Sequence, residues 1–169
     1  MKIPYLEIFQ SATAEFWPEE SATDLNFHLW FAAQCRAESG FDSKAISPAG
    51  ARGVMQIMPL TWREIRLYLP DLGTDIHSPA NSIRAGIWYA RWCFNRFPMI
   101  PDFRDRLLTA FASYNCGPSR IKRLIEKTGG VEFEKLHPLF PYKETRDYVS
   151  RIVRFRNEYL GEKNDGSGV

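Results

Sequence analysis

Long hydrophobic runs are missing from this 169-residue sequence. No apolar stretch reaches the roughly 20 residues that a membrane-spanning helix needs, so no stable membrane insertion is expected. Cysteine is scarce: Cys35, Cys93 and Cys116 are odd in number and show no C-x-x-C spacing. That argues against a disulfide framework and a zinc site, and three free, mostly buried thiols are expected. No metal and no cofactor is expected either. An excess of one charge is lacking, because 22 Lys and Arg face 20 Asp and Glu for a net charge of +2. Such a balance suits a polyanionic surface without demanding one, and it does not describe a nucleic-acid arm. In "MKIPYLEIF", Pro4 and Glu7 interrupt the apolar residues and no small-residue cleavage site follows, so no signal peptide is read there. Alternating strand patterns and internal repeats are missing too, which leaves a mainly helical fold.

What is present is a chain rich in apolar and aromatic residues, 44% and 14%, as compact globular proteins are. Its length is about that of one domain with a real core, placed here at residues 1–160, and "GEKNDGSGV" over 161–169 reads as a frayed tail.

Strong punctuation separates the expected helices. Ser21 and Asp24 in "SATD" make a capping-box pattern, predicting a helix that runs to about Ser39 and stops at Gly40. The small-residue loop "DSKAISPAGARG" follows, then "VMQIMP", which Pro59 ends. Thr61 with Glu64 is a second capping box, opening "WREIRLYL". Ser78 and Pro79 start "ANSIRAGIWYARWCFNRF", which continues until Pro98. "FRDRLLTAFASYN" closes on "CGPS", Pro118 begins "SRIKRLIEK", and "ETRDYVSRIVRFRNEYL" forms the C-terminal helix.

Helical geometry singles out Glu38. At 100° per residue, Phe27, Phe31 and Glu38 lie within about 20° of one line, so Glu38 continues the apolar face of "LNFHLWFAAQC". A carboxyl buried there should hold its proton near neutrality, as a general acid requires. A helix-end Glu that simply reaches solvent past Gly40 fits the same spacing. Ser47 and Gln56 in "SPAGARGVMQIMP" offer neutral hydrogen bonds suited to sugar hydroxyl and acetamido groups. Met55 and Met58 read equally as core filler. Tyr114 shares a face with Leu107 and Phe111, which points its hydroxyl inward either as a core tyrosine or as a ligand contact. Asn115 and Gly117 form a plausible helix end. Glu144 opens the last helix in a place where a dipole or salt-bridge role competes with direct chemistry. The arginines Arg146, Arg151, Arg154 and Arg156, interrupted by Asp147 and Glu158, read as a solvated face rather than a nucleic-acid stripe.

The order of four segments resembles a known family over about Leu25 to Ile152. "ESGFDSKAISPAGARGVMQIMPLTW", "SPANSIRAGIWYARW", "AFASYNCGPSRI" and "ETRDYVSRI" are similar to the four characteristic blocks of the soluble lytic transglycosylases. These belong to the lysozyme superfamily and have glycoside hydrolase family 23-like domains. Cys116 and Ser113 stand where alanines are usual, and both are small. The resemblance implies a lysozyme-like, mainly α fold with little or no β-structure. It implies Glu38 as catalytic acid and base, with Ser47, Gln56, Met58, Tyr114, Asn115 and Glu144 lining or supporting a sugar-binding groove. The partner implied is the peptidoglycan glycan strand, and the chain is expected to be a monomer.

The chemistry implied is non-hydrolytic cleavage between N-acetylmuramic acid and N-acetylglucosamine. The substrate's own acetamido group replaces the second carboxylate, for which the sequence offers no convincing candidate; Asp42 reads as a loop residue beyond Gly40. The alternatives are a hydrolytic muramidase on the same fold and a non-catalytic wall-binding virion component. The site of action expected is the cell wall in the periplasm. Without a signal peptide of its own, the chain is expected to stay cytoplasmic until it is released, as in phage lysis, or carried in a phage particle or secretion apparatus.

Overall fold

Prolines and glycines decide where most helices begin and end. The computed structural model describes residues 2–161. They form α1 (Leu6–Phe16), α2 (Pro18–Thr23), α3 (Leu29–Ser39), α4 (Pro59–Tyr68), α5 (Pro79–Phe94), α6 (Phe103–Cys116), α7 (Pro118–Thr128), the short α8 (Phe133–Leu136), a 3-10 turn over His137–Leu139, and α9 (Lys143–Leu160). Pro18, Pro59, Pro79 and Pro118 each take the first helical position, where a missing N–H costs nothing and the fixed φ fits the helix. Gly40 closes α3 at φ +62, a left-handed cap that glycine adopts without a Cβ penalty. Asp102 caps α6 by accepting the Asp105 N–H at 2.8 Å.

No sheet forms among the described residues. Two isolated antiparallel bridges join Ile46 to Arg52 and Arg52 to Ile57, so the fold is mainly helical, as expected. Of the tail expected over 161–169, Gly161 alone is described and the rest lies outside the described residues.

Two helix starts differ from the sequence reading. Ser21 lies inside α2, and the chain turns before α3 begins at Leu29. The Asp24 carboxylate accepts the Asn26 N–H at 2.8 Å, so it builds a side-chain turn rather than serving a capping box. Phe27 therefore precedes the helix, and only Phe31 and Glu38 share its face. In α4, Pro59 starts the helix that it was expected to precede, and Thr61 falls within the first turn.

The core is aromatic at its centre. Trp17 sits 5.4 Å from the rings of Phe27 and Phe31 and 5.1 Å from Phe94, and Phe31 touches Phe111 at 6.2 Å. Each such fully buried side chain contributes on the order of 3 kcal/mol before entropy. The helix α3 runs through this core and packs mainly on α9, while α6 is flanked by α5, α7 and α9. Cys35, Cys93 and Cys116 are all buried and free.

The expected solvated arginine face is divided. Arg146 donates to the Phe140 carbonyl at 2.7 Å, and Arg156 lies 4.4 Å above the Trp30 ring and 3.4 Å from the Asp24 carboxylate. Arg154 is exposed, whereas Arg151 turns toward a groove. One helix carries all four, but its neighbours recruit them separately.

Candidate active site

Glu38 is the penultimate residue of α3, just before the turn at Gly40, and its side chain lines a groove of about 300 Å³. Burial pushes the Glu38 carboxyl from 4.5 up to about 8. Tyr148 and Arg151 pull it down, and the neighbouring Glu144 pushes it up. Desolvation wins because a buried carboxylate loses more hydration than one hydrogen bond and the Arg151 charge restore. The negative pole at the end of α3 acts in the same direction.

A short relay fixes the carboxyl. The Tyr148 hydroxyl donates to Glu38 Oε1 at 2.5 Å, and Gln34 Nε2 donates to the Tyr148 oxygen at 3.1 Å. Gln34 precedes Glu38 by one turn of α3, so both reach the same hydroxyl. Gln34 and Thr145 are fully buried polar residues of the α3–α9 contact region.

The opposite wall is the loop over residues 45–57, and three helices hold it. From α3, Ser39 Oγ donates to the Val54 carbonyl at 2.8 Å and Cys35 Sγ approaches it at 3.4 Å. From α5, Ser82 Oγ accepts the Met55 N–H at 3.3 Å. Gly86, also on α5, leaves room for Met55, whose side chain would lie 2.7 Å from a Cβ there. From α6, the Tyr114 hydroxyl donates to the Met55 carbonyl at 2.8 Å. Met55 is thus core, fully buried, whereas Met58 is 43% exposed at the rim.

The structure brings Glu38, Ser47, Gln56, Met58, Tyr114, Asn115 and Glu144 to this one groove. Gln56, at φ +46, donates to the carbonyls of Ala45 at 3.2 Å and Gly53 at 3.0 Å. Its amide nitrogen is therefore used within the loop, and its oxygen remains to accept. Ser47 Oγ accepts the Ala51 N–H at 3.0 Å and keeps its proton to donate. Thr145 donates to Asn115 Oδ1 at 2.7 Å, which leaves the Asn115 amide nitrogen for a ligand. Glu144, exposed in the first turn of α9, is the second carboxylate at the groove. Asp42 is exposed and spends a carboxylate oxygen on the Lys44 N–H at 2.8 Å.

Sequence reasoning missed Tyr148 and Arg151. Both lie on α9 at four and seven residues beyond Glu144, the spacing that puts them on one helix face. Following that face from Glu144 would have found them. Arg151 Nε is buried with no partner among the described residues, and no group of three or more His, Cys, Asp or Glu among those residues could hold a metal. The arrangement can deliver one proton, take it back, and offer neutral hydrogen bonds to a polyhydroxylated ligand.

The chain matches the transglycosylase SLT domain family over residues 27–137. It is 29% identical over 139 residues to the soluble lytic murein transglycosylase of Salmonella typhimurium, a match that covers 78% of this chain and 21% of that protein. It is similar to the crystal structure of the 70 kDa soluble lytic transglycosylase from Escherichia coli, with a TM-score of 0.76, 25% identity, and coverage of 96% of this chain and 25% of that one. A structure of an inactive mutant of the lytic transglycosylase Slt from Pseudomonas aeruginosa is similar with a TM-score of 0.69 and 26% identity, covering 90% of this chain and 25% of that one. The chain thus spans about a fifth to a quarter of the length of these proteins.

Proposed function

The chain belongs to the transglycosylase SLT domain family, and we propose from it that residues 1–160 form one lysozyme-like catalytic domain that cleaves the glycan strands of bacterial cell-wall murein. The observation that carries the reading is the Glu38 carboxyl, pushed up to about 8 by burial in a groove that also presents the hydrogen-bonding side chains of Ser47, Gln56 and Asn115. A carboxyl so placed is protonated at neutral pH and can act as a general acid. No helix among the described residues is long and apolar enough to cross a membrane. The domain's site of action is the wall itself, in phage lysis or local wall opening.

In the mechanism, Glu38 protonates the glycosidic oxygen between N-acetylmuramic acid and N-acetylglucosamine, and the C–O bond to the leaving sugar breaks. The acetamido oxygen of the muramic residue attacks the anomeric carbon and forms an oxazolinium intermediate, which replaces the nucleophilic carboxylate of most retaining glycosidases. Glu38, now ionised, takes the proton of the muramic 6-hydroxyl. That oxygen then bonds to the anomeric carbon, the oxazolinium opens, and a 1,6-anhydro ring closes without consuming water. Tyr148, with Gln34 behind it, keeps Glu38 Oε1 aimed, a positioning role. Asn115, Gln56 and Ser47 orient the sugar, and Glu144 supports it from the start of α9.

Products are therefore expected to end in 1,6-anhydro-muramic acid, each lighter by one water than its hydrolytic counterpart. Mass spectrometry of a sacculus digest in water labelled with heavy oxygen tests this. Glu144 at the groove also fits a hydrolytic muramidase, with that carboxylate guiding a water. Labelled reducing ends as the main product would establish that reading instead.

A second expectation concerns Tyr114. Tyr114→Phe keeps the ring but strands the Met55 carbonyl, at a cost of about 1–3 kcal/mol in stability. Because that bond also sets the loop against Glu38, the loss in kcat/KM, expressed as free energy, should exceed the loss in unfolding free energy. Equal losses, measured by thermal unfolding and by the rate of muropeptide release, would reduce Tyr114 to a core residue.

A further inference from the structure

Beside the Glu38 groove, between α4 and α5, lies a second cleft of about 310 Å³ that the proposed reaction does not use. Its walls are unusually aromatic. Tyr68 stacks on Trp88 with ring centroids 5.3 Å apart and planes 26° apart, and Tyr89 stacks on Trp92 at 5.3 Å and 22°. Trp88 is partly buried against the core, but burial does not explain the Tyr68 ring on top of it, which is 65% exposed. Thr61 and Glu64 place a hydroxyl and a carboxylate at the cleft. Flat rings beside a few hydrogen-bonding groups are what a pyranose needs, its C–H face lying on an aromatic surface and its hydroxyls turned to the polar edge.

The linings of cleft and groove adjoin at two places. The Tyr89 ring meets Tyr114 edge-on at 5.1 Å, so one wall of the cleft backs directly onto one wall of the groove. Met58 lines the groove and Thr61, three residues further on and one helical turn away, lines the cleft. The start of α4 thus brings the rim of the groove beside the cleft.

We propose that this cleft is a further sugar subsite, which holds a pyranose ring of the same murein strand several units from the bond being cut. The proposal rests on the murein-cleaving reading above. A cleft of this volume holds one or two rings, whereas a stable protein partner buries ~800 Å² of each surface. The subsite favours long strands by adding binding area that short fragments cannot reach, and the stacking surface is built by Tyr68 and Trp88.

The test is calorimetric titration of a Glu38→Gln background, which prevents turnover, with purified murein glycan fragments of two and of eight sugars. Tyr68→Ala and Trp88→Ala are each expected to weaken binding of the eight-sugar fragment by about tenfold, in line with the loss of one stacking surface. Binding of the two-sugar fragment should stay unchanged. Because Tyr68 is mostly exposed, its truncation keeps the fold intact and the test valid even if the Trp88 variant unfolds. Unchanged affinity for the long fragment, or equal losses for both lengths, would overturn the subsite. Loss of concentration-dependent self-association with glycan affinity intact would overturn it too, by making the cleft a protein-docking face. If the background protein binds neither fragment, the murein reading itself fails, which is a different result from a lost dependence on length.

Discussion

Exchanging Glu38 for glutamine is expected to remove ~10²–10⁴-fold or more of the murein-cleaving rate, the range that a lost general acid commands. The amide keeps the size of the side chain and can still meet the Tyr148 oxygen, but it has no proton to give. The fold should gain stability from the same change, and the sign follows from the carboxyl's displacement from 4.5 to about 8. Below pH 4.5 the group is neutral in both the folded and the unfolded chain. Between there and about pH 8 the unfolded chain has shed the proton while the folded one keeps it, so the carboxyl's presence costs increasing stability across that window. Thermal unfolding of both proteins at several pH values should show the variant ahead, with a gap that widens up to about pH 8 and then levels. In the wild type, kcat/KM should fall as pH rises through the same upper limit, because the acid form is lost. A folded Glu38→Gln protein that clears sacculi at close to the wild-type rate would show that another group performs the chemistry.

Gly53→Ala is expected to be the most damaging small substitution in the groove loop. The backbone there sits at φ +73, and an added Cβ would lie 2.4 Å from the Ile76 carbonyl oxygen and 2.9 Å from Ser82 Oγ. Left-handed backbone costs an alanine about 1–2 kcal/mol by itself. The clash adds more, because a carbonyl oxygen cannot swing aside as a flexible side chain can. A total of about 3–5 kcal/mol, or on the order of 10 °C in Tm, is expected. Gly50→Ala is the matched control: its φ is +89, yet nothing lies within 4 Å of the new Cβ. It should lose only the conformational part. Equal melting shifts for the two variants would mean that the loop yields at Gly53, contrary to its fastening by three helices.

What could be read from the sequence was mostly what proline, glycine and motif order announce. Pro79 and Pro118 marked helix starts, and Gly40 marked the end of the helix that carries Glu38. The family resemblance points to seven residues from three of the four segments, and all seven line one groove. Other features have no local signal. Asp24 satisfies both a capping box and a side-chain turn, and the choice falls to the turn because Pro18 has already started a separate short helix. The role of Tyr148 depends on α9 packing against α3, a contact between residues 110 positions apart. The N-terminal α1 has no start signal, because Tyr5 precedes it at φ +59 and no side chain caps it. The arginines of α9 looked alike in sequence and differ only in what each meets.

The buried thiols give the molecule a set of internal timers. Cys35 lies one helical turn from Glu38, against the Val54 carbonyl of the groove loop, and burial holds its thiol protonated far above the usual range, while Cys93 is pushed up to about 12. A protonated, enclosed thiol does not react with alkylating reagents until the surrounding structure opens. The labelling rate of Cys35 therefore counts how often α3 parts from the groove loop, and that of Cys93 how often the α5–α6 layer loosens. If the loop detaches before the core does, Cys35 is modified first, and a ligand that clamps the groove slows Cys35 while leaving Cys93 on the schedule of global unfolding.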